Sequence, residues 1–385
     1  MTSTGTDGGE TVVEGFVAAG YEAVRDAFAA NFEQGLELGA SCAATVDGEF
    51  VVDIWAGSAD TAGRPWQQGT IVNTFSVTKT MAAICVLALV DRGELELNSP
   101  VAKYWPEFAA NGKSAITVSH VLAHTAGLSG FEPPVVDATF LYDWSACCER
   151  LAAQAPWWEP GTASGYHAVT QGFLVGEVVR RVTGTTIGRF FRDEIAEPLG
   201  ADFHIGLPES EDHRVAELVP PAQGRPQPFH TEIAERTSKS TPLNGGEANT
   251  RAWRAAELPA IGGIGNARSI ALIHAMMACG GELSGTRMLS ESTVAAAACA
   301  QITGVDLVNG VELTFGNGFG LNSETTPISP NERAMFWAGW GGAFAVIDLD
   351  ARASVAYAMN RMADDSATDF RGGILAATAL ACASM

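Results

Sequence analysis

The sequence predicts an α+β fold: an antiparallel sheet built from both ends of the chain, flanked by helices, with a mainly helical domain inserted between the two ends. Residues 40–55 have the pattern of two strands around the turn pair Asp47-Gly48, and β-rich runs recur at 340–349 and 353–359. The middle of the chain carries apolar residues at helical spacing instead. We therefore assign residues 1–95 and 260–385 to one α/β domain and residues 96–259 to the insertion.

The individual elements follow from periodicity. Apolar residues at helical spacing predict a first helix over 21–38, and a second apolar helix follows at 81–90. Further helices are predicted in the insertion and at the end of the chain, over 118–122, 146–153, 170–183, 186–194 and 368–382. The stretch 207–258 is dense in Pro, Gly, Glu, Ser and Thr and has little periodicity, which predicts long surface loops that shape a pocket rim.

Composition excludes several partners. Among 385 residues, 23 Lys and Arg stand against 44 Asp and Glu, a net charge of −21, which disfavours nucleic acid and anionic membranes. The longest apolar stretch, 81–90, is shorter than the ~20 residues that a membrane span needs. Residues 1–10 are small and polar and have the pattern of a disordered tail instead of a secretion signal. Seven scattered cysteines predict free buried thiols in a reducing compartment, so we expect a cytoplasmic protein.

The sharpest local motif is Ser76-Val77-Thr78-Lys79, directly before the apolar helix at 81–90. Residues i and i+3 share a helix face, so the Lys79 amine is expected beside the Ser76 hydroxyl. A serine hydroxyl needs a base within hydrogen-bond reach, and an apolar setting can make a lysine such a base. The alternative is a helix-capping serine followed by a solvated lysine.

Two further segments add to this motif. In the first, Tyr166 precedes a predicted helix, and a phenol beside a lysine amine can carry a proton between nucleophile and leaving group. In the second, Trp337-Ala338-Gly339-Trp340-Gly341-Gly342 begins a predicted strand, where the N–H groups of Trp340 and Ser76 can form an oxyanion hole. The alternatives are a core tyrosine with a satisfied hydroxyl and a glycine-permitted bend beside buried tryptophans.

The order of these three boxes resembles that of the family VIII carboxylesterases, which are similar to class C β-lactamases and D-alanyl-D-alanine peptidases. Further matches cover most of the chain, roughly residues 15–380, and include the segments 121–128 and 259–268. The resemblance implies a β-lactamase/transpeptidase-like fold with the site where the two domains meet. It also implies that Ser76 is acylated and that Lys79 and Tyr166 share the base and acid roles.

Departures from the lactamase pattern favour esters. Trp337-Ala338-Gly339 stands where those enzymes and the peptidases carry Lys-Thr-Gly or His-Thr-Gly, and Ala168 stands where the tyrosine box usually ends in asparagine. A tryptophan removes the charge that would hold a substrate carboxylate and offers an apolar wall. We therefore predict a serine esterase for small uncharged carboxylic esters, with Trp337, Gly339 and His167 near the substrate. The alternative for His167 is a structural role, which is the commoner one for a histidine next to a catalytic residue.

Other readings remain open. β-Lactamase, D-alanyl-D-alanine peptidase or amidase activity is the first alternative, and a binding module that has lost its catalysis is the second. Gly-x-Ser-x-Gly and His-Glu-x-x-His are absent from the sequence, and no phosphate or dinucleotide loop is complete. The expected partner is a small-molecule ester, with neither a metal nor a cofactor. The natural ester and the oligomeric state are left undetermined.

Overall fold

The computed structural model describes residues 12–222, 229–364 and 369–383. The tail expected at residues 1–10 lies outside these ranges. Strands in the described part of the chain are β1 (Glu14–Val17), β2 (Gly39–Val46), β3 (Glu49–Gly57), β4 (Val72–Asn73), β5 (Phe203–Ile205), β6 (Gly263–Gly265), β7 (Glu282–Leu283), β8 (Thr286–Arg287), β9 (Ile302–Val305), β10 (Glu312–Phe315), β11 (Gly320–Leu321), β12 (Ala334–Ala338), β13 (Phe344–Asp348) and β14 (Ala353–Met359).

Helices connect and cover these strands. Those in the described ranges are α1 (Glu22–Glu33), α2 (Thr78–Asp91), α3 (Val118–Leu122), α4 (Trp144–Ala153), α5 (Thr170–Thr183), α6 (Ile187–Phe191), α7 (Glu197–Leu199), α8 (Glu232–Ser240), α9 (Arg251–Ala255), α10 (Ala267–Ala278), α11 (Glu291–Ala297) and α12 (Arg371–Ala383). Helix α2 packs on α5 and α6, so the segment that follows Ser76 is embedded in the helical region.

Both ends of the chain contribute to one antiparallel sheet, as predicted. Within the described ranges its nine strands have the order β1-β3-β2-β14-β13-β12-β11-β10-β9. Strand β2 pairs with β14 from Val46 opposite Ala353 to Ala40 opposite Met359. This pairing joins the first hairpin to the last one, and it places the end of β12 in the same sheet as the N-terminal strands.

Helices cover both faces of this sheet. On β14, Ser354 Oγ donates to the Ala271 carbonyl of α10 at 2.7 Å, whereas the Tyr357 hydroxyl donates to Glu37 on the opposite face. Side chains an odd number of residues apart on a strand point to opposite faces. Helix α12 packs on the Tyr357 face together with α1. All residues of β14 are consequently buried.

Several predicted boundaries are wrong for local reasons. The strand predicted from residue 340 begins only at Phe344, because Gly341 and Gly342 have φ of +93° and +130° and form part of a turn between β12 and β13. The helix predicted over 21–38 ends at Glu33, before Gly35 at φ +69°. The loop region 207–258 contains α8, whose buried positions are only Ala234, Thr237 and Ser240. Such small side chains produce little apolar periodicity.

A second, smaller sheet contains the strand that leads into Ser76. Its order is β4-β6-β5, with Asn73 opposite Ile264 and His204 opposite the same residue. Because β4 ends at Asn73, this sheet brings the segment around residue 260 beside the chain that enters α2. Residues far apart in sequence thus meet next to Ser76.

The cysteines are free thiols, as predicted, but burial holds only for Cys42, Cys85, Cys147 and Cys148. Cys279 and Cys382 are half-buried and Cys299 is exposed. Burial raises the pKa of Cys42 and of Cys147 to about 12. In the described ranges, none of the helices combines the length and the apolar character that crossing a membrane requires.

A buried ionic cluster of Glu37, Asp369 and Arg371 joins α12 to the segment that precedes β2. Glu37 accepts hydrogen bonds from Tyr357 and from Arg371, the latter at 3.0 Å, and Arg371 also pairs with Asp369 at 2.9 Å. Burial raises the pKa of Glu37 to about 7, against the opposing effects of Arg371 and the Tyr357 hydroxyl. The carboxylates of Glu37 and Asp369 share the Arg371 guanidinium. When Glu37 is protonated, Asp369 and Arg371 are left as a buried pair of opposite charges with no net charge.

This shift predicts a pH-dependent stability. The folded protein holds the Glu37 proton more tightly than the unfolded chain, so the stabilisation is fully present below pH 4.5 and is lost as the pH rises through about 7. In Glu37→Gln the amide mimics the protonated acid at every pH. We expect the free energy of unfolding of Glu37→Gln, relative to that of the wild type, to rise between pH 5 and pH 8 in urea titrations. If the difference in free energy of unfolding between Glu37→Gln and the wild type stays constant over this pH range, the raised pKa of Glu37 is contradicted.

Candidate active site

Ser76 follows a residue with an unfavourable backbone conformation. Phe75 has φ +45°, in the left-handed region that bulky side chains rarely adopt. Its buried ring packs against Trp253 and Trp340, with 6.3 and 5.2 Å between ring centroids. Packing of this kind maintains a strained backbone, and such strain is common at functional sites. The chain therefore turns sharply at Phe75 and places Ser76 at the entry to α2.

The backbone after Ser76 aligns its side chain with that of Lys79. Thr78 and Lys79, the first two residues of α2, donate their N–H groups to the carbonyls of Phe75 and Ser76, each at 3.0 Å. In this tighter helical turn, residues i and i+3 eclipse one another. The Lys79 side chain consequently lies beside Ser76, as the spacing in the sequence predicts.

The Lys79 amine is held on two backbone carbonyls. Its Nζ donates to Ala168 O at 2.7 Å and to Ala260 O at 3.0 Å, and it lies 3.2 Å from Ser76 Oγ. Because a carbonyl only accepts, two N–H bonds of Nζ are directed at these oxygens. A third position on the nitrogen faces Ser76 Oγ. In the neutral amine that position is the lone pair, which can accept the serine proton.

Neither carbonyl was predicted from the sequence. In the sequence, Ala168 stands out only as a departure from the lactamase pattern, and Ala260 only as part of the segment 259–268 that matches the resembled family. A backbone acceptor leaves no signature in residue type. Lys79 is only 1% exposed, and every residue of α2 from Thr78 to Leu89 is buried.

The Tyr166 ring lies next to the amine. Its ring centroid is 4.8 Å from Lys79 Nζ, and the ring packs against His124 and Trp337 at 4.9 and 6.1 Å. The Tyr166 N–H donates to Asp306 Oδ1 at 3.1 Å, which attaches this residue to the loop between β9 and β10. Ser76, Lys79 and Tyr166, predicted from separate motifs, thus lie together.

The predicted oxyanion-hole residues also meet at this site. Gly339 packs so closely on the chain before Ser76 that a Cβ there would lie 2.2 Å from Thr74 O. This contact brings the turn that carries Trp340 against the entry to α2. The Ser76 N–H has no hydrogen-bond acceptor within residues 12–222, 229–364 and 369–383. Both Ser76 and Trp340 line one cavity.

This cavity of about 240 Å³ opens beside the Ser76 hydroxyl. Its apolar lining residues come from several separate segments. Its polar lining consists mainly of neutral hydroxyls from the end of α8 and the residue after it, together with Ser129. The lining residues are Phe75, Ser76, Ser129, Ala168, Val169, Thr237, Ser238, Ser240, Thr241, Pro242, Leu243, Ile261 and Trp340. The stretch 207–258 thereby supplies a pocket wall, as expected, although part of that wall is helical.

Trp337, Gly339 and His167, the three residues expected near the substrate, are all buried. Trp337 is buried and stacks with His124 and Phe315, at 5.5 and 6.0 Å between centroids. The His167 ring is fully buried, with Nε2 accepting from the Leu128 N–H at 2.9 Å and Nδ1 donating to Gly165 O at 2.6 Å. In the described part of the chain, neither these two side chains nor Gly339 contributes to the cavity lining.

His124 holds the tyrosine segment in place. Its Nδ1 accepts from the His167 N–H at 3.0 Å, and its ring contacts Tyr166. Burial, with the neighbouring His167 and Lys79 adding to it, holds the pKa of His124 well below its usual range, so the imidazole is neutral. In the described ranges no group of His, Cys, Asp and Glu has an arrangement that could hold a metal ion.

The site places a serine and a lysine at the entry to a buried helix, beside an antiparallel sheet made from both chain ends. This architecture is that of the β-lactamase-like serine hydrolases. The chain belongs to the β-lactamase family, whose sequence model matches residues 28–378. This match confirms the predicted fold class.

Similar proteins include named esterases. The esterase/β-lactamase LipL of Mycobacterium tuberculosis is 38% identical over 303 residues, which are 75% of this chain and 70% of LipL. The crystal structure of a family VIII carboxylesterase is 44% identical with a TM-score of 0.90, covering 96% of this chain and 100% of that one. A penicillin-binding protein homologue from Caulobacter crescentus is 39% identical with a TM-score of 0.91, covering 97% and 100%. These similarities confirm the resemblance to the family VIII carboxylesterases that the motifs indicate.

Proposed function

We propose that this protein is a serine esterase that hydrolyses small uncharged carboxylic esters through an acyl-enzyme on Ser76. The observation that carries the proposal is the Lys79 amine, which two backbone carbonyls hold 3.2 Å from Ser76 Oγ, next to the cavity. The esterase names of LipL and the family VIII carboxylesterase support this choice. Seven free cysteines agree with the expected cytoplasmic location.

The reaction has two steps. Neutral Lys79 takes the Ser76 proton while Oγ attacks the ester carbonyl carbon, and the carbonyl oxygen becomes an oxyanion that accepts from the Ser76 and Trp340 N–H groups. The proton passes through Tyr166 to the alkoxide oxygen, the C–O bond breaks and the alcohol leaves. Water then attacks the acyl-enzyme, the same groups carry its proton back to Ser76 Oγ, and the acid is released.

The choice of esters over lactams depends on Trp337. This residue stands where lactamases and peptidases carry lysine or histidine, and its buried indole packs beside Tyr166 at 6.1 Å. An indole cannot form the charge-assisted hydrogen bond that a substrate carboxylate gains from a cation, which is worth about 1.5–3 kcal/mol. Neutral hydroxyls and apolar side chains in the cavity suit an uncharged ester.

A rate comparison tests the substrate class. We expect kcat/KM for p-nitrophenyl butyrate to exceed that for a nitrocefin-type lactam by roughly 10- to 100-fold, the value of the missing charge-assisted contact. Both substrates release a chromophore, so one spectrophotometer measures both rates. Faster turnover of the lactam contradicts the proposal and supports a β-lactamase.

Covalent labelling separates an enzyme from a binding module. A fluorophosphonate should react with the folded protein, and mass spectrometry should locate the adduct on Ser76, because only an activated serine is phosphonylated. Heat-denatured protein provides the control and should stay unlabelled. A folded wild type without an adduct supports the binding module.

A further inference from the structure

The buried cluster around Arg371 lies outside the proposed mechanism, yet it reaches the active site. Arg371 is 5% exposed, and its guanidinium donates to Glu37 Oε2 at 3.0 Å and to both oxygens of Asp369 at 2.9 Å. Further N–H contacts at 3.1 Å go to the carbonyls of Leu36 and Arg361. A planar guanidinium held at this many points has one orientation.

One more hydrogen bond connects this cluster to the turn between β12 and β13. Arg371 Nη2 donates to Gly341 O at 2.9 Å. Gly341 directly follows Trp340, whose N–H is assigned to the oxyanion hole. At the next residue, a Cβ on Gly342 would lie 2.5 Å from Asp369 Oδ2 and 2.7 Å from Arg371 Nη2. The turn therefore packs directly on the charged groups.

This turn needs an external support. Gly341 and Gly342 have φ of +93° and +130°, and two adjacent glycines leave a turn with many accessible conformations. The Gly341 carbonyl receives two hydrogen bonds, from Arg371 and from the Ala363 N–H at 2.9 Å. Fixing this carbonyl restricts the rotation of the peptide group between Gly341 and Gly342, and with it the conformations open to the turn that contains Trp340.

We propose that Arg371, held by Glu37 and Asp369, is a positioning residue that orients the turn carrying the Trp340 N–H toward the ester carbonyl oxygen. This inference rests on the proposed esterase function. An oxyanion-hole donor acts only when it lies within hydrogen-bond distance of the developing charge. A small displacement of the turn therefore lowers transition-state stabilisation and leaves substrate binding nearly unchanged.

Arg371→Lys tests this role because it keeps the charge and removes the planar fork. A single ammonium cannot reach Glu37, Asp369 and Gly341 O together in the geometry of the guanidinium. We expect kcat for p-nitrophenyl butyrate to fall roughly tenfold or more, with KM within a factor of about two, since removing an oxyanion donor outright costs roughly 10²–10³ in kcat. The matched control is Arg181→Lys, which alters an ion pair with the buried Glu177 elsewhere in the fold and should keep kcat.

A sulfur-substituted ester distinguishes positioning from general destabilisation. A thiono ester places a larger and weaker acceptor in the oxyanion hole, so the wild type should hydrolyse the oxygen ester much faster than its thiono analogue. In Arg371→Lys this ratio should shrink. If Arg371→Lys does not fold, Glu37→Gln replaces it, assayed at pH 8, above the pKa of about 7 of Glu37, where the amide keeps the shape of the cluster and removes the charge that holds Arg371. We expect the same changes in kcat and in the thiono ratio, at smaller amplitude.

Two results overturn the inference. One is a folded Arg371→Lys or Glu37→Gln with wild-type kcat and thiono ratio. The other is a loss of activity that follows the loss of thermal stability while the thiono ratio stays constant, which indicates a structural role alone. If the wild type hydrolyses neither ester, the proposed function fails separately. The rate of Ser76 phosphonylation then tests the same turn, because the phosphoryl oxygen also occupies the oxyanion hole.

Discussion

Lys79→Ala lowers kcat for p-nitrophenyl butyrate by roughly 10³-fold or more, in the upper part of the 10²–10⁴ range of general acid–base catalysis. The physical reason is that Ser76 Oγ loses the nitrogen that lies 3.2 Å away and keeps its proton. Steady-state kinetics with purified variants measure the change. The rate of fluorophosphonate labelling should fall in parallel, because phosphonylation needs the same deprotonated oxygen.

The alanine also leaves a cavity and two carbonyls without their donor, so a second substitution is needed. Lys79→Met keeps most of the side-chain volume and should lose as much activity as Lys79→Ala while retaining more of the thermal stability. Lys113 offers a matched control: it is fully buried, its Nζ donates to Ala110 O and Ala152 O at 2.7 and 3.0 Å, and burial lowers its pKa to about 8. Lys113→Met should lower stability and keep kcat. A folded Lys79→Met with a wild-type rate contradicts the base assignment.

Tyr166→Phe lowers kcat by roughly 10²-fold for esters whose alcohols are poor leaving groups, such as ethyl butyrate. Without the phenol hydroxyl, the alkoxide has to leave without a proton. The loss should be several-fold smaller for p-nitrophenyl butyrate, because p-nitrophenolate is stable without protonation. Titration of the released acid measures the rate for the alkyl ester, and absorbance measures the rate for the aryl ester.

The fold should tolerate this substitution. The ring contacts of Tyr166 with His124 and Trp337, and its N–H bond to Asp306, do not involve the hydroxyl. Tyr104→Phe is the control: its hydroxyl accepts from the Glu96 N–H at 3.0 Å, away from Ser76, and its loss should leave both rates unchanged. An equal loss for the two esters in Tyr166→Phe would argue against the role as acid.

Local patterns in the sequence were enough to predict much of the fold and the reactive side chains. Alternation around Asp47-Gly48 and in the last strands was enough to predict a sheet made from both ends, since strand pairing follows apolar periodicity. The interval between Ser76 and Lys79 was enough to place an amine beside a hydroxyl, because helix geometry fixes which residues share a face. Helix α10 has no counterpart among the predicted elements, although it covers one face of the sheet.

Only the tertiary structure decided how the amine is held and where the pocket walls lie. The acceptors on Lys79 are the carbonyls of Ala168 and Ala260, and every residue carries a carbonyl whatever its type. The same holds for Gly341 O, which Arg371 reaches across 30 residues of sequence. The sequence by itself therefore determined which side chains can react, because their chemistry follows from residue type and their local spacing from residue number. The three-dimensional packing of distant segments determined which backbone atoms orient them, because hydrogen bonds to the main chain depend on position alone.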